Sequence, residues 1–372
     1  MERPSRSRSR RRDAEMVREL CEWFSVHGRD LPWRRRRTAY RGLVAEAMLQ
    51  QTQVSRVVPR FKAFIQRFPT VRALAAADEQ DVLAMWQGLG YYRRAQHLHS
   101  AAEMITTQFG GRVPSTVDQL QQLPGVGRYS AAAIASIVFD QPEPIVDGNV
   151  RRVLARWEAR TGTNGDDWAW DRAAALVRLA AAPGKFNEAL MELGALICTP
   201  RTPQCQHCPV ARHCKAFGRK LQHRIPPPKK TARQKLVHHH AVVIVRGGKV
   251  LLERRTSEGM WARMWQAPTI EATKPLSTEN VLAALPVRVY QLMKHARFEH
   301  QTTHRRITFH VYTAKSRARR GVWCRPENTG DLPMSNAQRR VLAVADAGLH
   351  HAEAVSAVDS LSSSGSDGFA VG

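Results

Sequence analysis

Apolar positions recur at helical spacing through the first two thirds of the chain and at strand spacing beyond it. Met16, Leu20, Trp23 and Phe24 fall on one face and predict an amphipathic helix over Ala14 to His27. Tyr40 to Phe61 repeats the pattern, with Leu43, Val44, Ala47, Met48 and Leu49 surrounding Glu46. Thr116 to Leu120 predicts a helix that ends at Pro124, and Tyr129 to Val138, rich in Ala and Ile, predicts a buried one. A further helix opens at Pro144 to Asn149 and runs through Leu154 and Trp157, and Phe186 to Ile197 predicts another. From Ala241 the period changes. Ala241 to Val245, then Arg246-Gly247-Gly248-Lys249, then Val250 to Glu253 predict a β-hairpin, and Arg305 to Tyr312 a further strand. His238-His239-His240 alternates across such a strand and is expected to be structural. Residues 1–13 form an Arg-Ser run expected to be a disordered basic arm, and the Ser- and Gly-rich stretch 346–372 a disordered tail.

The chain has 372 residues, enough for two domains. The Lys-, Arg- and Pro-rich stretch 218–236 reads as a linker between a domain over 14–217 and a second over 237–345. A formal net charge of +25 points to a polyanionic partner, most simply DNA or RNA. No apolar run is long enough for a membrane span and no secretory core opens the chain, so a cytoplasmic protein is expected. Four of the six cysteines form C-x6-C-x2-C-x5-C: Cys198, Cys205, Cys208 and Cys214. That spacing predicts one metal centre in a reducing compartment, with structural zinc and an iron-sulfur cluster both open.

Leu123-Pro124-Gly125-Val126-Gly127-Arg128-Tyr129 reads as a tight turn between two helices. Free amides at the start of the second helix would make an anion site. Glu46, set among apolar neighbours, is costly to ionise, and a carboxylic acid kept protonated near neutral pH is what general-acid catalysis needs. Asp147 in Val146-Asp147-Gly148-Asn149-Val150 suits a helix N-cap and also suits an ionised carboxylate that stabilises positive charge on a sugar. Gln50-Gln51-Thr52-Gln53 offers amides for base edges. Gly88-Leu89-Gly90-Tyr91-Tyr92-Arg93-Arg94 offers aromatics beside cations for stacking and phosphate contact.

Taken in order, A-E-A-M-L-Q-Q-T-Q, G-L-G-Y-Y, L-P-G-V-G, V-D-G-N-V and the cysteine spacing resemble the MutY-type adenine DNA glycosylases. These belong to the helix-hairpin-helix superfamily that includes endonuclease III. The resemblance covers residues 14–220 strongly and 236–345 more weakly. It implies a mainly α, two-lobed glycosylase domain with a 4Fe-4S cluster on the four cysteines, followed by a smaller α+β MutT-like (Nudix-like) domain. It implies removal of adenine opposite 8-oxoguanine or guanine in duplex DNA. Glu46 would protonate the base, and Asp147, supported by Tyr129 and Asn149, would stabilise the oxocarbenium. Glu188 and Arg34 match substrate-binding positions, Gln51 and Tyr91 residues that wedge into the duplex, and Thr52 and Leu89 residues near the oxidised guanine. Gly125 and Gly127 match the phosphate hairpin. Tyr129 stands where endonuclease III carries a lysine, which implies a monofunctional enzyme. In the second domain Thr302-Thr303-His304 stands in the lesion-recognition loop, with Thr303 and His304 expected to contribute. No G-x5-E-x7-R-E-x-x-E-E segment is present, so triphosphate hydrolysis is not expected. A monomer in the bacterial cytoplasm, near the nucleoid, is expected. The rival readings are a thymine-mismatch glycosylase and a catalytically silent DNA-binding protein.

Overall fold

Side-chain oxygens start several of the helices. Thr38, Thr70 and Thr116 accept from the amides of Arg41, Ala73 and Gln119 at 3.2, 3.1 and 3.4 Å, which satisfies donors that a helix N-terminus leaves open. The structure is a computed structural model that describes residues 6–162, 167–227 and 234–345. The expected tail over 346–372 lies outside the described residues, as do residues 1–5 of the arm and 228–233 of the linker. The chain forms two units, 1–85 with 94–230 and 86–93 with 231–372.

The first unit is helical. In order it contains α1 (Arg6–His27), α2 (Pro32–Arg35), α3 (Ala39–Leu49), α4 (Val54–Arg67), α5 (Val71–Ala75), α6 (Glu79–Met85), α7 (Arg93–Gln108), α8 (Val117–Leu120), α9 (Arg128–Phe139), α10 (Gly148–Trp157), α11 (Asp167–Val177), α12 (Pro183–Leu196) and α13 (Lys215–Gly218). Met16, Leu20, Leu154, Ala173, Phe186 and Leu193 join α1, α10, α11 and α12 in one core. Each large apolar side chain fully buried there stabilises by roughly 1.5–3 kcal/mol. The Ala-rich α9 lets helices come close on two sides. A Cβ on Gly42 of α3 would sit 2.6 Å from Val138 Cγ2, and one on Gly184 of α12 would sit 2.5 Å from the Ser136 carbonyl. These two approaches bring α3 and α12 to opposite sides of one cavity.

Residues 6–13 were expected to be disordered, yet α1 starts at Arg6. The reason is long-range pairing at Asp13, whose buried carboxylate takes 2.5 and 2.7 Å bonds from Arg172. Arg172 also bonds Glu158 at 3.0 Å, and Lys215 closes on the same carboxylate. The start of the expected linker is likewise packed: Ile225 is buried and its carbonyl accepts from Arg156 Nε at 2.8 Å.

The second unit holds β1 (Lys235–Arg246), β2 (Lys249–Arg254), β3 (Trp265–Gln266), β4 (Thr269–Ala272), α14 (Thr278–Ala283), β5 (Tyr290–Gln301), β6 (Arg305–Lys315) and β7 (Val322–Cys324), with a helix over 336–345. The strand order is β3-β2-β1-β6-β5, with β4 on β1 and β7 on β2. β1 and β6 are parallel, whereas β1–β2 and β5–β6 are antiparallel. Gly247 and Gly248, at φ 53° and 70°, close the β1–β2 hairpin in the left-handed region that a two-residue turn needs. The three histidines alternate as expected. His238 Nδ1 lies 3.2 Å from His310 Nε2 and His240 Nδ1 3.2 Å from the Tyr312 hydroxyl, while His239 packs against Phe309 and Trp261.

Burial lowers the His239 pKa to about 4, against the pull of Glu271. The folded value lies below the unfolded one, so this stability is present above pH ~6.5 and is lost as pH falls toward 4. His239→Phe is expected to flatten the acid limb. Urea unfolding of both chains at about pH 7 and about pH 4.5 measures it, and equal acid losses would rule the effect out.

Candidate active site

Glu46 sits on the third turn of α3, the helix started by Thr38. It faces a cavity of about 470 Å³ whose lining also includes Tyr129, Asp147, Asn149, Glu188 and Arg34, a volume in the range of small-molecule sites. Gln51 and Thr52 line its mouth, and Trp33, Ile134 and Met191 supply apolar wall. Residues as far apart in sequence as Arg34 and Glu188, 154 positions, thus meet in one place.

The Glu46 carboxyl is enclosed by protein, and burial pushes its pKa up to about 7; a hydrogen bond from Ser130 opposes this and the nearby Asp147 adds to it. Asp147 caps α10, accepting from Val150 N at 2.6 Å and from Asn149 Nδ2 at 3.2 Å. Burial raises its pKa, while these bonds and the Arg152 charge pull it back. The cap bonds favour the carboxylate form. Burial, then the charges of Glu46 and Asp147, drive Tyr129 well above the ordinary phenol value, so it stays protonated.

The opposite wall holds the expected Glu188 and Arg34 in a larger ion-pair network. Glu188 accepts from Arg34 Nε at 2.9 Å and from Arg37 Nη2 at 2.6 Å. Glu192, one turn along α12, accepts from Arg29 Nε at 2.8 Å, Arg29 Nη2 at 2.9 Å and Arg34 Nη2 at 3.2 Å. Against burial, Arg29 and Arg34 hold Glu192 down at about 2. Arg29, Arg37 and Glu192 therefore join the predicted Arg34 and Glu188. In sequence the arginines look like a solvated basic run; the Glu-x3-Glu spacing on α12 was the one usable signal.

Gln50 was read as a base-edge amide, but its side chain turns inward and donates to Ser130 Oγ at 3.0 Å. Gln51 adopts φ 54°, and Thr52 accepts from Arg94 Nη2 at 3.0 Å. In the hairpin, Gly125 has φ 76° and a Cβ there would lie 2.6 Å from His97 Cβ, so both its conformation and its surroundings require glycine. Gly127 is the extended N-cap of α9 and has open space beside its Cα. Neither its φ nor any neighbour within the chain requires glycine at this position.

Leu89 and Tyr91 group with the second unit. Gly88 and Gly90 have φ 87° and 69°, and Trp86 Nε1 donates to the Gly90 carbonyl at 3.2 Å to close that turn. Leu89 is buried and Tyr91 is exposed, and the Tyr91 hydroxyl meets the Thr303 hydroxyl. Thr302 closes its own turn by accepting from Arg305 N at 3.0 Å, whereas Thr303 and His304 stay exposed.

Cys198, Cys205, Cys208 and Cys214 line one small cavity with Arg156 and Trp157. Burial, with the other cysteines nearby, pushes Cys208 up to about 12. Four clustered sulfurs become thiolates together only when a cation holds them, so the donor set fits a metal centre. Among the described residues no group is drawn in around a single ion. Arg156 donates to Cys198 Sγ at 3.2 Å, and Arg152, one turn earlier on α10, donates to the Cys198 carbonyl and to Asn149 Oδ1, both at 2.9 Å. One helix thus carries hydrogen bonds from the cysteine loop to the partner of Asp147.

Residues 44–170 match a family model described as HhH-GPD superfamily base excision DNA repair protein, and residues 240–344 match a NUDIX domain. An adenine DNA glycosylase of Rattus norvegicus is 47% identical over 221 residues, 56% of this chain and 43% of the relative. One of Buchnera aphidicola subsp. Schizaphis graminum is 30% identical over 340 residues, 87% of this chain and 97% of the relative. A thermostable thymine-DNA glycosylase structure superposes with TM-score 0.52 at 26% identity, over 57% of this chain and 99% of that one. The chain spans less than half the length of the rat relative it matches. No described helix is long and apolar enough to cross a membrane.

Proposed function

The chain belongs to the adenine DNA glycosylase family, and from that premise we propose that it is a monofunctional base-excision repair enzyme that hydrolyses the N-glycosidic bond of adenine mispaired with 8-oxoguanine or guanine. The observation that carries the reading is the pairing across one cavity of a carboxyl whose pKa burial raises to about 7, Glu46, with a carboxyl held by hydrogen bonds at a helix N-cap, Asp147. Adenine flipped from the duplex costs only a few kcal/mol to extrude at a mismatch. Arg34 and Glu188 offer it a donor and an acceptor. Glu46 protonates N7, which turns the base into a better leaving group. The bond breaks with oxocarbenium character at C1′, Asp147 stabilises that charge, with a transient bond to the sugar open to it, and water completes hydrolysis. The Gly125–Gly127 hairpin supports the phosphate backbone with its amides. Gln51 and Tyr91 wedge into the duplex, Thr52 and Leu89 face the oxidised guanine, and Thr303 and His304 read it.

We assign a 4Fe-4S cluster to Cys198, Cys205, Cys208 and Cys214. When bound it would supply a structural anchor for the basic loop around Arg201 and Arg212 rather than hydrolytic chemistry. Cys208→Ala is expected to lose most iron and acid-labile sulfide, read by metal and sulfide analysis of the purified chain. Full retention of both would exclude Cys208 as a ligand.

The test of activity uses duplexes with one adenine opposite 8-oxoguanine, guanine or cytosine, and one thymine opposite guanine. Alkali-dependent cleavage at adenine, strongest opposite 8-oxoguanine and weakened there by His304→Ala, is expected. Borohydride should trap little protein on the product, because a phenol at Tyr129 forms no Schiff base. Cleavage at thymine instead would overturn the adenine assignment.

A further inference from the structure

Glu46 lies between two cavities. Beside the large one is a second of about 20 Å³ toward the hairpin, lined by Glu46, Gln50, Arg94, His97, Gly125 and Ser130 among others; it has room for one water molecule. Ser130 follows Tyr129 on α9 and is buried. Its Oγ lies 3.2 Å from Glu46 Oε1 and 3.0 Å from Gln50 Nε2. An amide N–H only donates, so Gln50 occupies a lone pair of the Ser130 oxygen and turns the hydroxyl proton toward Glu46. Oε1 then accepts, and the carboxyl proton is left to Oε2.

We propose that Gln50 and Ser130 form a positioning relay that orients Glu46 as a proton donor, holding its proton on Oε2; this rests on Glu46 being the general acid. The relay starts in the turn that carries Gln51. The Gln50 carbonyl in that turn is held by Arg94 Nη1, which also takes the Ala47 and Met48 carbonyls at 2.9 Å. Placement of the turn therefore sets the orientation of the acid. A hydroxyl donating to a carboxylate also favours ionisation, so Ser130 restrains the rise that burial imposes on Glu46. The other groups facing Glu46 are Tyr129 of α9, Asp147 at the start of α10, and Arg94 and His97 of α7; α4 sends only Val54 to either cavity, and Arg34 with Glu188 forms the far wall.

Single-turnover adenine release is measured against pH for the full chain, and the Glu46 carboxyl band is titrated by infrared difference against Glu46→Gln. In Ser130→Ala the alkaline arm of the rate profile is expected to move up by about one pH unit. The plateau should fall about tenfold. Ser130→Thr should restore both, and Gln50→Leu should move the arm the same way by less. The infrared titration should shift equally in free protein. An alkaline arm and an infrared titration both unmoved in Ser130→Ala would overturn the relay, and if that variant does not fold, an unmoved Gln50→Leu does the same. A shifted infrared titration in a chain that releases no adenine would support the relay and instead refute the proposed activity.

Discussion

Glu46→Gln is expected to slow single-turnover adenine release by about 10²–10⁴-fold, the usual contribution of a positioned general acid. That corresponds to about 3–5 kcal/mol of barrier. The amide keeps the shape of the carboxyl and an oxygen for the Ser130 hydroxyl, so the cavity should persist. What disappears is a transferable proton. Burial holds Glu46 at about 7, so near neutral pH about half the molecules carry that proton. The wild-type rate should therefore fall as pH rises through about 7, and the residual rate of the variant should lack that limb. Duplex affinity should stay within about threefold, since phosphate contacts dominate it. A variant that released adenine within fivefold of the wild-type rate, on the order of 1 kcal/mol, would remove Glu46 from the acid role.

Asp147→Asn is expected to cost about 10²–10³-fold in the same assay, the scale seen when a preorganised electrostatic stabiliser is lost. Asn caps helices about as well as Asp, so α10 should remain started at Gly148 and thermal stability should change little. The loss is of charge at the forming cation. The new amide also faces Asn149 Nδ2 donor to donor where Asp147 Oδ2 now accepts at 3.2 Å. The kinetic loss should therefore appear without a matching loss of melting temperature. Near-wild-type release in this variant would mean the carboxylate does not act on the cation, whereas a parallel collapse of stability would assign it to the cap alone.

Much of the frame was legible along the chain. Glu46 stood out because Leu43 and Leu49 stand three positions to either side of it, with Val44, Ala47 and Met48 between, so its helix is apolar around it. Asp147 announced itself through Asp-Gly-Asn-Val, a cap signal read from neighbours. Arg-Gly-Gly-Lys between apolar runs marked the β1–β2 turn. The clustered cysteines marked a shared site. All of these are local patterns, set by residues a few positions apart.

The rest was decided by tertiary contact. Arg29 bonds Glu192 across 163 positions, and Arg37 bonds Glu188 across 151. No period links such partners, and an arginine run reads the same whether solvated or paired. Asp13 ordered α1 through Arg172, 159 positions away. Gln50 turned inward because Ser130 waits on α9, 80 positions on. Local sequence determines which face of each helix is apolar and where the helix starts. Which side chains then converge depends on how the helices cross, and here that is set by close backbone approach at Gly42 against Val138 and at Gly184 against Ser136.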